Sequence, residues 1–222
     1  MDYFKNYDVV TPGDLLSDEK HGGEGTYTED KKIFSKYFGM LHVGDREMMV
    51  SPLTSVYEPH EGDDIVGQVI EVSSKYWVVD INAPYYTRLD ARDLNFRAEI
   101  NELDRYIQRG DYIYARVFRV YTGNHAADIS MRGTRYAKLP SNLIVRINPM
   151  KIPRLIGKEG AMINAIKTGS GCDVIIGQNG IVWIDGDEDK KPLAIEAVEL
   201  VQREYYNPNL AEKVRELFEH VQ

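Results

Sequence analysis

The chain has 222 residues, 27 basic and 35 acidic side chains, a formal charge of −8 and one cysteine. That length suits two or three small domains, and a lone cysteine, Cys172, excludes an internal disulfide and any multi-cysteine zinc site. No stretch approaches the roughly 18 apolar residues of a membrane span, and the N-terminus is too polar for a secretory signal. The sequence therefore predicts a protein of the reducing cytoplasm with no membrane partner.

Residues 1–61 carry 6 basic and 12 acidic side chains. Val9 to Leu16 precedes a Gly-rich loop, Gly22-Gly23-Glu24-Gly25-Thr26-Tyr27. Two β-like runs follow, Lys32 to Val43 and Arg46 to Leu53, joined near Gly44-Asp45. A small β domain is expected. The Gly-rich loop has the look of a phosphate cradle, but Asp18, Glu19, Glu24, Glu29 and Asp30 surround it with the wrong charge, which favours a simple turn.

Residues 62–133 read as a second module. Gly62 to Val72 is a strand, and Tyr76 to Ile81 is another that alternates Trp77, Val79 and Ile81 with Tyr76, Val78 and Asp80. Tyr85 to Leu89 makes a third. Glu99 to Arg109 is a polar linker with Ile100, Leu103 and Ile107 at helical spacing, and Gly110 to Tyr121 and Ala127 to Arg132 complete the set. Five short strands in about seventy residues predict a small closed barrel. The Gly-containing first strand, the Val79-Asp80-Ile81 run, Gly110-Asp111 and the final Ile129-Ser130-Met131-Arg132 resemble the S1-type OB fold. The usual S1 pattern has a histidine on its third strand, where this chain reads Arg88-Leu89-Asp90. Such barrels bind single strands by stacking bases on aromatic rings beside basic side chains. Tyr76, Tyr85, Tyr86, Arg88 and Arg116 are the candidates; ordinary strand residues with polar tips in water are the other reading. Arg116 shares parity with Tyr112 and Tyr114, opposite the expected core set Ile113, Ala115 and Val117.

Residues 134–187 hold 7 basic and 4 acidic side chains, the chain's one positive block. Asn142 to Ile147 reads as a strand ended by Asn148-Pro149. Pro153 suits a helix first turn, and Arg154 to Ile156 complete a short helix. Gly157-Lys158-Glu159-Gly160 follows, then a helix to about Thr168 burying Met162, Ile163 and Ile166, stopped by Gly169-Ser170-Gly171. Cys172 to Ile176 and Ile181 to Ile184 form a hairpin around Gly177-Gln178-Asn179-Gly180, with Cys172 as a small buried hydrophobe. Pro192 opens an amphipathic helix with Ala194, Ala197, Val198 and Val201 on one face, and from Asn209 to Gln222 a second stripe holds Leu210, Val214, Leu217, Phe218 and Val221. Two other glycine pairs, Gly22/Gly25 and Gly177/Gly180, share the GxxG spacing, but here alone apolar helical segments flank it on both sides. Glycines let the chain turn sharply and let a ligand approach, and the amides opening the next helix favour an anion. The β-α-α-β-β-α order and this loop resemble the KH domain, whose GxxG clamps about four nucleotides. The other reading is a small α+β domain whose glycines make turns. The candidate RNA-binding residues of the loop are Arg154, Ile156, Gly157, Lys158, Glu159 and Gly160; Glu159 puts a negative charge where a basic residue would suit phosphate better.

The expected fold is thus multidomain and mainly β, with an α+β part: an N-terminal β domain (1–61), an S1-type barrel (62–133) and a KH domain with C-terminal helices (134–222). This order, with Pro12-Gly13-Asp14-Leu15-Leu16 and Gly23-Glu24-Gly25-Thr26-Tyr27 ahead of the barrel, resembles the S1/KH cap subunits of the archaeal RNA exosome over nearly the whole chain. The other archaeal cap subunit ends in a zinc ribbon, which one cysteine cannot build. The resemblance implies a non-catalytic subunit without cofactor or metal. Its partners would be single-stranded RNA and a hexameric ring of RNase-PH-like subunits, on which it sits as a homotrimer or in a mixed trimer with the other cap subunit, feeding RNA 3′ ends into the ring. The alternative is an S1–KH transcription or translation-associated RNA-binding factor. An enzyme is disfavoured: the five histidines are scattered, and Asp63-Asp64 and Asp187-Glu188-Asp189 read as loop charges.

Overall fold

The computed structural model describes residues 2–53, 56–121, 127–205, 207 and 209–219. It divides into two compact units, residues 1–55 and 56–222.

The first unit contains strands β1 (Val9–Val10), β2 (Leu15–Ser17), β3 (His21–Gly22), β4 (Thr26–Glu29), β5 (Lys32–Ser35), β6 (Gly39–Val43) and β7 (Glu47–Pro52). They form two small sheets, ordered β1-β6-β7-β3 and β2-β5-β4. Alternate side chains of β5 and β7 turn inward, so Ile33, Met48 and Val50 meet Val10, Leu16 and Leu41 in one core. The run expected from Lys32 to Val43 is in fact two strands in different sheets. The hydroxyl of Ser35 donates to the Tyr37 carbonyl (2.7 Å) and accepts from its amide (3.3 Å), which bends the chain between them. The Gly-rich loop is a turn closed on itself: Gly23 N–H donates to Met48 O, and the Thr26 amide and hydroxyl both donate to Gly23 O.

In the second unit β8 (Asp64–Val72), β9 (Tyr76–Asp80), β10 (Thr87–Asp90), β11 (Tyr112–Val120) and β12 (Ala127–Ser130) form an OB-type barrel. β8 pairs with β9 and β11, β9 with β10, and β11 with β12, all antiparallel; a parallel pairing of β10 with β12 closes the ring. Trp77, Val79 and Ile81 fill it together with Ile113, Ala115 and Val117, all 0% exposed. Tyr57 joins this core and donates to Asp63 (2.7 Å), so the barrel's packing includes residues ahead of Glu61. The third strand begins at Thr87, leaving Tyr85 and Tyr86 in the preceding loop. The helical spacing between Glu99 and Arg109 yields a single 3-10 turn, Leu103–Arg105. Leu103 and Ile107 nevertheless cap the core, and Ile107 O accepts from the Trp77 indole (2.9 Å), while Ile100 stays in solvent.

A short β13 (Ala137–Leu139) adds to β11 and leads into the KH domain. That domain runs β14 (Leu143–Arg146), α1 (Ile152–Ile156), α2 (Ala161–Ser170), β15 (Asp173–Ile176), β16 (Ile181–Asp185), α3 (Lys191–Arg203) and α4 (Leu210–Glu219). Its sheet is ordered β14-β16-β15. α2 continues past the expected stop at Thr168, because Ser170 is buried and its hydroxyl donates back to Ile166 O (2.7 Å). Cys172 is buried. Leu210, Val214 and Phe218 of α4 pack on the KH domain's own core, together with Ala194, Ala197, Val198 and Val201 of α3; Val221 lies outside the described residues. No helix among the described residues is long and apolar enough to cross a membrane.

The barrel and the KH domain share a contact at the β15–β16 turn. Asn179 is 0% exposed there. Its amide donates to Val66 O (2.7 Å) and Ile81 O (2.8 Å) and accepts from Val66 N–H (3.3 Å). Gln178 exchanges two bonds with the backbone of Asp64. Val66, Leu139, Ile181 and Trp183 seal the contact with Tyr112 and Tyr114 alongside. We expect Asn179→Ala to cost on the order of 2–4 kcal/mol, since it strands two buried carbonyls. Urea denaturation followed at the tryptophans of both modules should show this loss; an unchanged midpoint would refute it.

Candidate nucleic-acid interface

The KH loop is built from backbone conformations that require glycine at its ends. Gly157 has φ 73°, ψ 173°, and Gly160 has φ 79°, ψ 12°. A Cβ on Gly157 would also lie 2.8 Å from the Met162 amide nitrogen. Between them Glu159 occupies the left-handed region (φ 52°), and Lys158 and Glu159 are exposed at the tip. Ile156 is partly buried against the KH core. Arg154 points elsewhere: its guanidinium donates to Asn207 O (2.8 Å), and its Nε is buried with no partner among the described residues. Lys158 is therefore the cation that the loop itself presents.

On the barrel, Arg88 lies 5.7 Å from the centroid of the Tyr76 ring, and its Nε is 3.5 Å from Asp128. Tyr86 (63% exposed) and Arg88 line one groove of about 380 Å³ with Tyr121, whose hydroxyl donates to Asp128. Tyr85, also exposed, precedes Tyr86 in the same loop. A second groove of about 320 Å³ adjoins it, lined by Arg88, Arg92, Arg119 and Arg132 around Phe118 and Tyr121. Arg119 sits 5.7 Å from the Phe118 ring centroid, and Arg132 donates to Arg92 O (2.9 Å) and pairs with Asp93 (3.3 Å).

The structure thus gathers Tyr76, Tyr86 and Arg88 and leaves Arg116 apart from them. Arg116 faces outward, as its parity predicts, but its Nε binds Asp64 (2.9 Å), which also accepts from Arg135 and from the Tyr136 hydroxyl (2.7 Å). Burial would raise the Asp64 carboxyl; hydrogen bonds from Arg116 and Tyr136 and the charges of Arg135 and Arg116 outweigh it and hold the group below its ordinary range. Sequence reading missed Arg92, Phe118, Arg119, Tyr121 and Arg132. A register shift in β11 between Val117 and Arg119 turns Phe118 and Arg119 outward together, which alternation does not predict. The closing Ile-Ser-x-Arg motif was the available signal for Arg132.

An OB-type barrel packed on a KH domain, with an arginine–aromatic groove on one module and an open GxxG loop on the other, defines a two-module RNA-binding protein. A KH domain family model matches residues 143–190. The exosome complex component Rrp4 of Methanobrevibacter smithii is 37% identical over 97% of this chain and 72% of its own length. That of Thermoplasma acidophilum is 37% identical over 93% of the chain and 87% of its own. A solved structure described as a putative exosome complex RNA-binding protein superposes with a TM-score of 0.67 at 26% identity, covering 75% of this chain and 97% of the other. The chain belongs to the Rrp4 family of exosome subunits.

Because the Asp64 carboxyl is depressed in the folded state, its network stabilises fully above the unfolded aspartate value of about 3.9 and fades as pH falls through the lower folded value. The stability gap between the native chain and Asp64→Asn should be full above about pH 4 and should narrow below it. Urea midpoints measured across that range check this, and a gap independent of pH would contradict it.

Proposed function

We propose that this chain is a non-catalytic RNA-binding cap subunit of an archaeal exosome. It holds RNA and guides 3′ ends into a phosphorolytic nuclease ring. The observation that carries the reading is that the arginine–aromatic groove and the KH loop belong to one packed body in a chain of this family. Weak contacts at two sites on one body add as avidity and raise the local concentration of RNA near the ring. The N-terminal domain is the proposed docking element; its exposed Tyr3, Tyr7, Val9, Tyr37 and Phe38 suit a protein surface better than solvent. Three copies, or a mixture with a second type of cap subunit, would complete the cap.

Two experiments test this. Replacing Lys158 and Glu159 with aspartates should preserve the fold, since both are exposed and aspartate tolerates the left-handed conformation of position 159. Loss of one phosphate contact should lower the salt slope of single-strand binding by about 0.7. Unchanged affinity and slope would remove the loop from the binding site. The second is reconstitution. The purified chain should not cleave RNA with or without phosphate or divalent metal. Added to a nuclease ring it should form a complex of defined mass and speed degradation of long RNA with a free 3′ tail, with little gain on very short oligonucleotides. Cleavage by the isolated chain, or equal processing of long RNA without it, would overturn the proposal.

A further inference from the structure

We propose that the barrel carries a second nucleotide-binding site, in the cleft between the β8–β9 turn and the segment that follows β10, and that it receives single-stranded RNA running on from the arginine groove. The inference rests on the RNA-binding reading above and adds a site to it. The cleft, about 640 Å³, is larger than either groove on the strand face. Phe96, 41% exposed, and Ile100, 54% exposed, give it an apolar wall in solvent. The Phe96 ring is propped by Tyr106, with centroids 5.5 Å apart.

Three cations, Lys75, Arg92 and Arg97, share the lining with this apolar wall. The carboxylate of the lining, Asp90, is already taken by Arg92 through bonds of 2.9 and 3.1 Å. Lys75 and Arg97 have no ion pair among the described residues, in a chain with eight more acidic than basic side chains. An exposed ring beside unneutralised cations fits a base and its phosphates, the pattern of single-strand sites. The walls are tied by backbone bonds, Asn101 N–H to Ser74 O (2.9 Å) and Ala91 N–H to Lys75 O (3.1 Å), so the cleft needs little ordering to bind. Asp90 and Arg92 line both this cleft and the arginine groove, so a strand leaving one enters the other. A protein partner is disfavoured by the cations that it would have to desolvate.

The test uses the full chain and oligouridylates of graded length, with affinity read by fluorescence anisotropy. Phe96→Ala should leave the shortest oligomers unaffected and weaken longer ones by roughly 5- to 150-fold, the equivalent of about 1–3 kcal/mol for one stacked base. Lys75→Ala with Arg97→Ala should lower the salt slope for the longer oligomers by about 1.4, at about 0.7 per phosphate. Arg88→Ala with Arg119→Ala, in the arginine groove, should weaken all lengths. If the groove variant loses affinity and neither cleft variant does at any length, the cleft is not an RNA site. If the groove variant also loses nothing, RNA binding by the barrel itself fails. A Phe96→Ala variant that binds RNA normally but loses the nuclease ring would reassign the cleft to a protein contact. Should Phe96→Ala unfold, the cation pair, being on the surface, decides the question.

Discussion

Asn179 sits at the turn of a hairpin in the KH domain, yet its side chain hydrogen-bonds to the barrel, through Val66 and Ile81. Buried amides are tolerable where they are satisfied, and a satisfied one holds its partners to a single geometry. Around it Asn82 donates to the Asn179 carbonyl and in turn accepts from Arg146, so the bond chain crosses the junction twice. The consequence is that the KH loop and the arginine groove stand at a fixed separation. For a polymer ligand this matters more than the affinity of either site, since effective concentration depends on both sites being reachable by one strand.

The acidity of the chain is compatible with RNA binding because the charge is partitioned. Residues 1–61 account for −6 and residues 134–187 for +3. The barrel module is itself slightly acidic, with 9 basic and 11 acidic side chains from 62 to 133, yet it concentrates Arg88, Arg92, Arg119 and Arg132 in one groove. Counting along the chain located the positive KH segment and missed this patch, because folding, not sequence proximity, brings those four together.

What was legible in the sequence follows from which physical rules are local. Helix and strand order in the KH domain, the parity of β9 and the first half of β11, and the packed face of α4 are period and turn signals read within a few residues. The GxxG loop was legible because Gly157 and Gly160 take conformations that ordinary residues avoid. Two kinds of feature escaped. The register shift at Phe118–Arg119 breaks the alternation that parity reasoning assumes. The engagement of Arg116 by Asp64, and of Arg154 by the Asn207 carbonyl, depends on partners 52 and 53 residues away. A basic residue's position on an element says that it can reach outward; what it meets there is set by the tertiary fold.

The arginine groove has a further property that bears on how such a protein could work. Arg88 faces Asp128, Arg92 faces Asp90 and Arg132 faces Asp93, so three of its four cations already have carboxylate neighbours. Exposed pairs of this kind hold by about 0–1 kcal/mol, so a phosphate can replace a carboxylate at little net cost and at little net gain. Binding built on exchange would be weak per contact and sensitive to salt, and it would return these three arginines to their own carboxylates whenever a phosphate departs. A subunit that passes a strand onward needs contacts that release as readily as they form. Pairing three of the four groove arginines with carboxylates is one physical route to that balance. Tight grip would instead call for unopposed cations, such as Lys75 and Arg97 of the proposed cleft beside Phe96, which have no ion pair among the described residues.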